Sequence, residues 1–436
     1  MERTNNNAIE DTGQDIGQYV GQNIGQVVGR VVGQDAGQDL SQIVDENASE
    51  RIDIDARTEA IRGAVKAAGA GALLLTCLGN VFYATGTVFN GYYYLSEDGE
   101  PICFVKKSGA WGLDNAEHIR KPEQITKILA ERGFETPATM LVEDGQIPYS
   151  EALRLQKAFP NTVLLPASQM MREVRSVKTP YELSRIIKGA NMAANIFNTV
   201  PSLYKKGMTD NELWIEIDYL LKRRGHLGFI RQFSRYFEGN GSSIISGPNA
   251  INPSPYDYAV GGAGVGKALP AGANGTVMTE GSTVLVDFAT NLDGYLSDTS
   301  RTFSVGKTPD SALAAHEVAI TIQDMIVKYA KPSAVCGEIY EKAVKMAEES
   351  GYGDYFMGYK QKSRFVGHGV GIELDEMPVL AHRSKTVLKE GMVIAIEPKF
   401  TLPGIGAVGV ENTCVVRRDG LEKLAPSLDD KIVSLQ

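Results

Sequence analysis

The segment VLVDFATNLDGYLSDTSRTFSV, residues 284–305, decides the fold of the second half of the chain. Val284, Leu285 and Val286 favour extended backbone. Asn291 to Gly294 supply turn chemistry, and Tyr295, Thr299, Thr302, Phe303 and Val305 return to strand composition. The pattern predicts a hairpin, and its register bears on chemistry because it carries Asp287 and Asp298. Side chains alternate faces along a strand, so cross-strand partners share a face. A Leu292–Asp293 loop sets Asp287 directly opposite Asp298. An Asp293–Gly294 loop sets Asp298 opposite Ala289 and leaves the aspartates as diagonal neighbours. Either register holds the carboxylates roughly 5–8 Å apart or less. Anions that close repel unless a cation sits between them, and a metal ion is the economical explanation.

Three residues further along fit the same centre. His368 lies in RFVGHGVGIELDEMP, between glycines that let the backbone approach a neighbour closely. Glu397 ends the strand-like run VIAIEP, and Glu411 lies in AVGVEN. These two flank a turn, and a Pro403–Gly404–Ile405 loop in a second hairpin would set them opposite each other. Asp287, Asp298, Glu397 and Glu411 carry four negative charges, the balance of two divalent cations. Oxygen-rich ligation favours manganese, with cobalt, zinc or iron as substitutes. Two such ions about 3.5–4 Å apart can hold a bridging water and lower its pKa towards neutrality.

Outward from this centre the chain changes character twice. Up to residue 50 glycine recurs every fourth position from Gly13 to Gly37, mostly followed by glutamine. Seven interior glycines would cost a helix about 7 kcal/mol, so residues 1–50 are expected to be a low-complexity, disordered tail. Residues 51–172 alternate helical and strand-like runs and predict a small α/β domain. In it, GALLLTCLGNVFYATG and FNGYYYLSEDGEPICFVKK carry strand-like runs, with a turn at Glu97–Asp98–Gly99. Residues 173–436 read as α+β: helices over Thr179–Val200 and Thr209–Arg224, a glycine-rich, strand-poor stretch from Gly225 to Asn274, the hairpin, two more helices, and closing strands.

Composition narrows the function. The 436 residues carry 44 Lys and Arg against 53 Asp and Glu, a net charge of −9, which excludes a domain-scale basic surface for nucleic acid. No run of about 20 apolar residues predicts a membrane span. The start lacks the basic and apolar regions of a signal peptide. Cys77, Cys103, Cys336 and Cys414 are scattered, without a CxxC pair, as suits a reducing compartment. The expected location is the cytoplasm.

The motifs VDFATNLDGYLSDTSRTF, VGHGVGIELDEMP, IAIEP and GVEN, in this order, resemble the pita-bread metallopeptidases, the family of prolidase, aminopeptidase P, methionine aminopeptidase and creatinase. LGNVFYATG and VRSVKTPYELSRIIKGA resemble the N-terminal domain and the domain junction of its prolidase and creatinase branch. The resemblance implies an α/β creatinase-like N-terminal domain before a pita-bread catalytic domain, and a homodimer. It also implies a dinuclear centre in which Asp287 binds one metal, Asp298 and Glu411 bridge, and His368 and Glu397 hold the second, with Glu397 handling the nucleophile's proton. The implied reaction is hydrolysis of the bond between an N-terminal residue and proline in a small peptide. The alternatives are a non-peptide C–N hydrolase or lyase on the same fold, and a binding protein without catalysis.

The sequence departs from the family pattern in three places. SGPNAINPSPYDYAVGG lacks the histidine usual a few residues after SGPNA, and Tyr256, Asp257 or Tyr258 occupies that space. Asp375 precedes Glu376 where a histidine is usual, and Gly409 replaces a common arginine. Tyr256 and Asp375 are therefore candidate substrate-binding residues, joined by His226 as the best remaining histidine for a pocket. The glycine-rich run Gly261–Lys267 nearly spells a phosphate-binding loop, but Ala268 lacks the metal-binding hydroxyl and Pro270 interrupts a following helix.

Overall fold

A computed structural model describes residues 46–107, 109, 113, 115–234, 237, 239 and 241–436. Residues 1–45 of the glycine–glutamine tail lie outside the described residues. The chain divides into two compact units that part between Tyr181 and Glu182.

In the first unit a six-stranded sheet is built from β1 (Ala72–Leu75), β2 (Asn90–Ser96), β3 (Ile102–Lys107), β4 (Ala116–His118), β5 (Thr139–Val142) and β6 (Val163–Pro166). Its order is β4-β3-β2-β1-β5-β6, antiparallel from β1 to β2 and β3, parallel from β1 to β5 and β6. Tyr92, Tyr94, Phe104, Met140 and Phe159 pack a core on one face. The strand-like run of GALLLTCLGNVFYATG is β1, and Leu78–Thr85 after it is a helix. Its start is set by a distant residue: the buried Glu143 carboxylate accepts the Thr76 and Cys77 N–H groups at 2.6 and 2.8 Å. That satisfies donors that a helix N-terminus leaves unpaired.

In the second unit β7 (Ser242–Ser246), β8 (Thr283–Leu292) and β9 (Tyr295–Val305) form an antiparallel meander, with β17 (Val433–Leu435) added parallel to β9. Among the described residues, β7 is the one strand of the stretch 225–274. Asp293 and Gly294 both take positive φ, 55° and 88°, the requirement of a two-residue hairpin turn matched to strand twist. This selects between the two registers: Asp298 faces Ala289, and Asp287 faces Ser300. The aspartates are diagonal neighbours.

A second sheet holds β10 (Phe365–Gly369), β11 (Glu376–Ala381), β12 (Val393–Ile396), β15 (Asn412–Arg417) and β16 (Gly420–Lys423), in the order β11-β10-β12-β15-β16. The short pair β13 (Lys399–Leu402) and β14 (Gly406–Gly409) turns through Pro403–Gly404–Ile405, as the spacing predicts. Ile396 faces Asn412 and Lys399 faces Gly409, so one register runs through both pairs, and Glu397 and Glu411 occupy the same position in it. The ladder breaks there because Pro398 has no N–H to donate.

The glycines beside His368 do bring backbones together. A Cβ on Gly367 would lie 2.6 Å from the Ala395 carbonyl oxygen, and one on Gly369 would lie 2.3 Å from that of Met377. Neither oxygen can yield without moving a strand. Gly369→Ala is therefore expected to destabilise the protein by about 1–3 kcal/mol. Urea denaturation measures this, and an unchanged midpoint would contradict the contact.

Candidate metal centre

Three strands and two strand ends deliver the five predicted residues to one pocket. Asp287 comes from β8, Asp298 from β9 and His368 from β10, while Glu397 follows β12 and Glu411 precedes β15. The two sheets are fastened where these residues meet. The Glu411 N–H donates across to the Ser300 carbonyl of β9 at 3.1 Å, while within the second sheet the Glu397 N–H donates to the Val366 carbonyl at 3.0 Å. Thr413 bonds both ways with Asp298: its hydroxyl accepts the Asp298 N–H at 2.8 Å and donates to the Asp298 carbonyl at 2.7 Å. Arg301, buried and paired with Asp430 at 2.9 Å, donates to the Glu411 carbonyl at 2.7 Å.

All five predicted residues line the same pocket, together with Tyr256, Asp257, Tyr258 and Asp375. Asp298, His368, Glu397 and Glu411 are buried, and Asp287 is partly exposed. His368 sits at a bulge of β10 against β11, which re-aims its ring. Its Nδ1 lies 2.9 Å from the Leu374 carbonyl oxygen. Donation there makes Nε2 the acceptor, and Nε2 faces Asp298 Oδ2 at 3.8 Å and Glu397 Oε1 at 3.5 Å. A lone pair directed at two carboxylates is the arrangement of a metal ligand whose other nitrogen is anchored. Ligand atoms of Asp298, His368 and Glu411 all fall within 4.8 Å of one another. Glu411 Oε1 is buried without a hydrogen-bond partner, an unmet acceptor that a cation would satisfy. The donor set fits a divalent ion.

The electrostatics point the same way. Burial raises the Asp298 carboxyl well above its ordinary range, and Glu411 and Asp287 add to the shift. Asp287 is pushed up to about 6 by burial, with Lys399 opposing and Glu411 reinforcing. Glu411 is raised by burial against the opposing pull of Lys399. The pocket holds more acid than its surroundings support.

Lys399 was not anticipated from the motifs. Its Nζ lies 2.8 Å from Asp287 Oδ2, 2.7 Å from Glu397 Oε2 and 2.9 Å from Glu411 Oε2, and the side chain is buried. Burial works against the charge, but the three carboxylates outweigh it and hold the ammonium group well above its usual value. The signal was in the sequence: Lys399 lies two residues after Glu397 in an extended run, and that spacing puts both side chains on one face.

His226 is not brought to the pocket. It is buried, and its Nδ1 accepts the Asn291 N–H at 2.8 Å beside the β8–β9 turn. Burial lowers its pKa, as suits a neutral acceptor ring. Tyr256 and Asp375 do line the pocket, where Gln232 donates a hydrogen bond to Asp375 and Tyr256 packs edge-on to Tyr258. The run from Gly261 to Lys267 is a loop with Gly262 and Gly264 at positive φ, and no helix follows it. Among the described residues, no helix is long and apolar enough to cross a membrane.

Comparison with known proteins agrees with this geometry. The profile described as metallopeptidase family M24 matches residues 184–418, more than half of the chain, and that of the creatinase/prolidase N-terminal domain matches residues 57–177. The chain is 27% identical over 352 residues to the Xaa-Pro dipeptidase of Pyrococcus furiosus, covering 79% of this chain and 90% of that one. It is 28% identical over 337 residues to the Xaa-Pro dipeptidase of Lactobacillus delbrueckii subsp. lactis, covering 75% and 83%. The solved Xaa-Pro dipeptidase from Bacillus anthracis superposes with a TM-score of 0.72 at 23% identity, covering 88% of this chain and all of that one, a likeness of fold. The creatinase-like N-terminal domain before a pita-bread domain is thus the architecture of this chain.

A divalent ion bound between these acids should stabilise the folded chain. Mn2+ at about one hundred times its dissociation constant is expected to add about 2.7 kcal/mol. Thermal unfolding reads this as a rise in Tm that EDTA reverses and that His368→Ala abolishes. A Tm indifferent to Mn2+, Co2+ and Zn2+ would count against the centre.

Proposed function

Because the chain belongs to metallopeptidase family M24, we propose that it is a metal-dependent Xaa-Pro peptidase, an aminopeptidase or dipeptidase that releases an N-terminal residue from proline. The observation that carries this reading is the convergence of Asp287, Asp298, His368, Glu397 and Glu411 on one pocket. The names of the relatives supply the substrate class. Manganese is the metal the oxygen-rich donor set favours. When bound, a divalent ion supplies a Lewis acid for the scissile carbonyl and activates water for attack.

The chain's own residues do the rest. Glu397 is the base that takes the proton from the attacking water and returns it to the departing nitrogen. Its Oε2 is hydrogen-bonded to Lys399, which leaves Oε1 on the side of His368. His368 is held in one tautomer through Leu374. Asp375, anchored by Gln232, offers a negative charge to the substrate's N-terminal ammonium group, and Tyr256 offers a ring face to its side chain. The reading carries a homodimer, with neither nucleic acid nor membrane as partner. No disulfide joins Cys77, Cys103, Cys336 and Cys414, which fits action in the cytoplasm.

One observation favours a second reading. Tyr256, Asp257, Tyr258 and Asp375 line the pocket where the resemblance leads one to expect accessory histidines. Such a lining suits a non-peptide C–N bond, broken by hydrolysis or by a lyase step. A panel of Xaa-Pro dipeptides and longer peptides, run with metal-loaded protein beside non-peptide amides, separates the two. Release of the N-terminal residue or of proline is expected, and turnover of the amides alone would replace the first reading with the second. With metal saturating, Glu397→Gln is expected to lower kcat by about 10²- to 10⁴-fold. Wild-type kcat in that variant would remove Glu397 from proton transfer.

A further inference from the structure

We infer that Lys399 is a built-in cation occupying one of the two positive positions of the acid cluster, so that the chain binds a single divalent ion where its family resemblance implies two. This rests on the metal-dependent reading above and refines it. Glu397 and Glu411 each divide their oxygens. Glu397 Oε2 and Glu411 Oε2 take the ammonium group at 2.7 and 2.9 Å. Glu397 Oε1 lies towards His368, and Glu411 Oε1 has no hydrogen-bond partner. Asp287 turns Oδ2 to the lysine at 2.8 Å. The cluster is thereby split into an ammonium side, made of Asp287 and one oxygen from each glutamate, and a second side. That second side holds Asp298, His368 and the remaining glutamate oxygens.

An ion on the ammonium side would have to approach the same oxygens to about 2.0–2.2 Å, in competition with Nζ for their lone pairs and against its charge. The ammonium group has no easy retreat. Lys399 is 1% exposed, so withdrawing Nζ from its three carboxylates would leave a buried charge unpaired. The backbone also makes room for the side chain. Gly409 faces Lys399 across β13 and β14, and a Cβ there would lie 2.8 Å from Lys399 Cγ. The stem lies against Gly409, which puts no side chain in its path. On the other side, Asp298, His368 and Glu411 form a three-ligand cradle on their own.

The test is metal content, read independently of turnover. The full chain is dialysed to equilibrium against Mn2+, its metal is counted by elemental analysis, and the same samples are examined by electron paramagnetic resonance. Wild type is expected to bind about one ion per chain with the spectrum of an isolated Mn2+, and Lys399→Met about two with the spectrum of a coupled pair. Asp287→Asn is expected to keep the wild-type count, because the partner of Asp287 is the lysine. Two coupled ions in wild type would overturn the inference and leave the metallopeptidase reading in place. So would a single ion in folded Lys399→Met, or a lower count in Asp287→Asn. No bound ion in wild type, with Mn2+, Co2+, Zn2+ and Fe2+ each offered, would overturn both. If Lys399→Met does not fold, the wild-type count and Asp287→Asn decide.

Discussion

Mutual repulsion among Asp287, Asp298, Glu397 and Glu411 is the constraint around which the second unit is built. Carboxylates brought this close and taken out of water are tolerable only with positive charge between them or protons upon them. Loose strands would relieve the strain by parting. Here they are tied instead, by Thr413 bonding to both backbone groups of Asp298 and by Arg301 gripping the Glu411 carbonyl. The backbone carries the repulsion, and the side chains stay convergent.

Positive charge reaches the cluster in an uneven way. Lys399 answers three of the acids from within. His368, fixed through its other nitrogen, turns an acceptor towards two of them. A lysine neutralises but offers no Lewis acidity, whereas a divalent ion does both. The difference between the two halves of the pocket is therefore one of chemistry as well as of charge. The rim of the pocket departs from the pattern the resemblance implies, with tyrosines and Asp375 in place of histidines.

Much of this was legible before any coordinates. The two hairpins were readable because turn chemistry is local: Pro403–Gly404–Ile405 sets the register of the second, while residues 291–294 mark the first turn and leave its register open by one step. The glycines around His368 announced close backbone approach, and the neighbours prove to be carbonyl oxygens of Ala395 and Met377. What escaped were residues whose environment comes from afar. Leu78–Thr85 is a helix whose approach is anchored from another segment, where Glu143 receives the N–H groups of Thr76 and Cys77 just before it. His226 resembles a pocket residue by composition and is instead a neutral acceptor under a turn.

By itself the sequence determined which acids share a face, where the turns between them fall and which family the chain resembles, because alternation and turn preference act over a few residues. Only the tertiary structure decided between the registers left open for Asp287 and Asp298, and only it showed the Lys399 ammonium group among three of the four carboxylates. Periodicity assigns a side chain to a face. What it meets there depends on strands more than 100 residues apart folding against one another, as the contact between Asp287 and Lys399 requires.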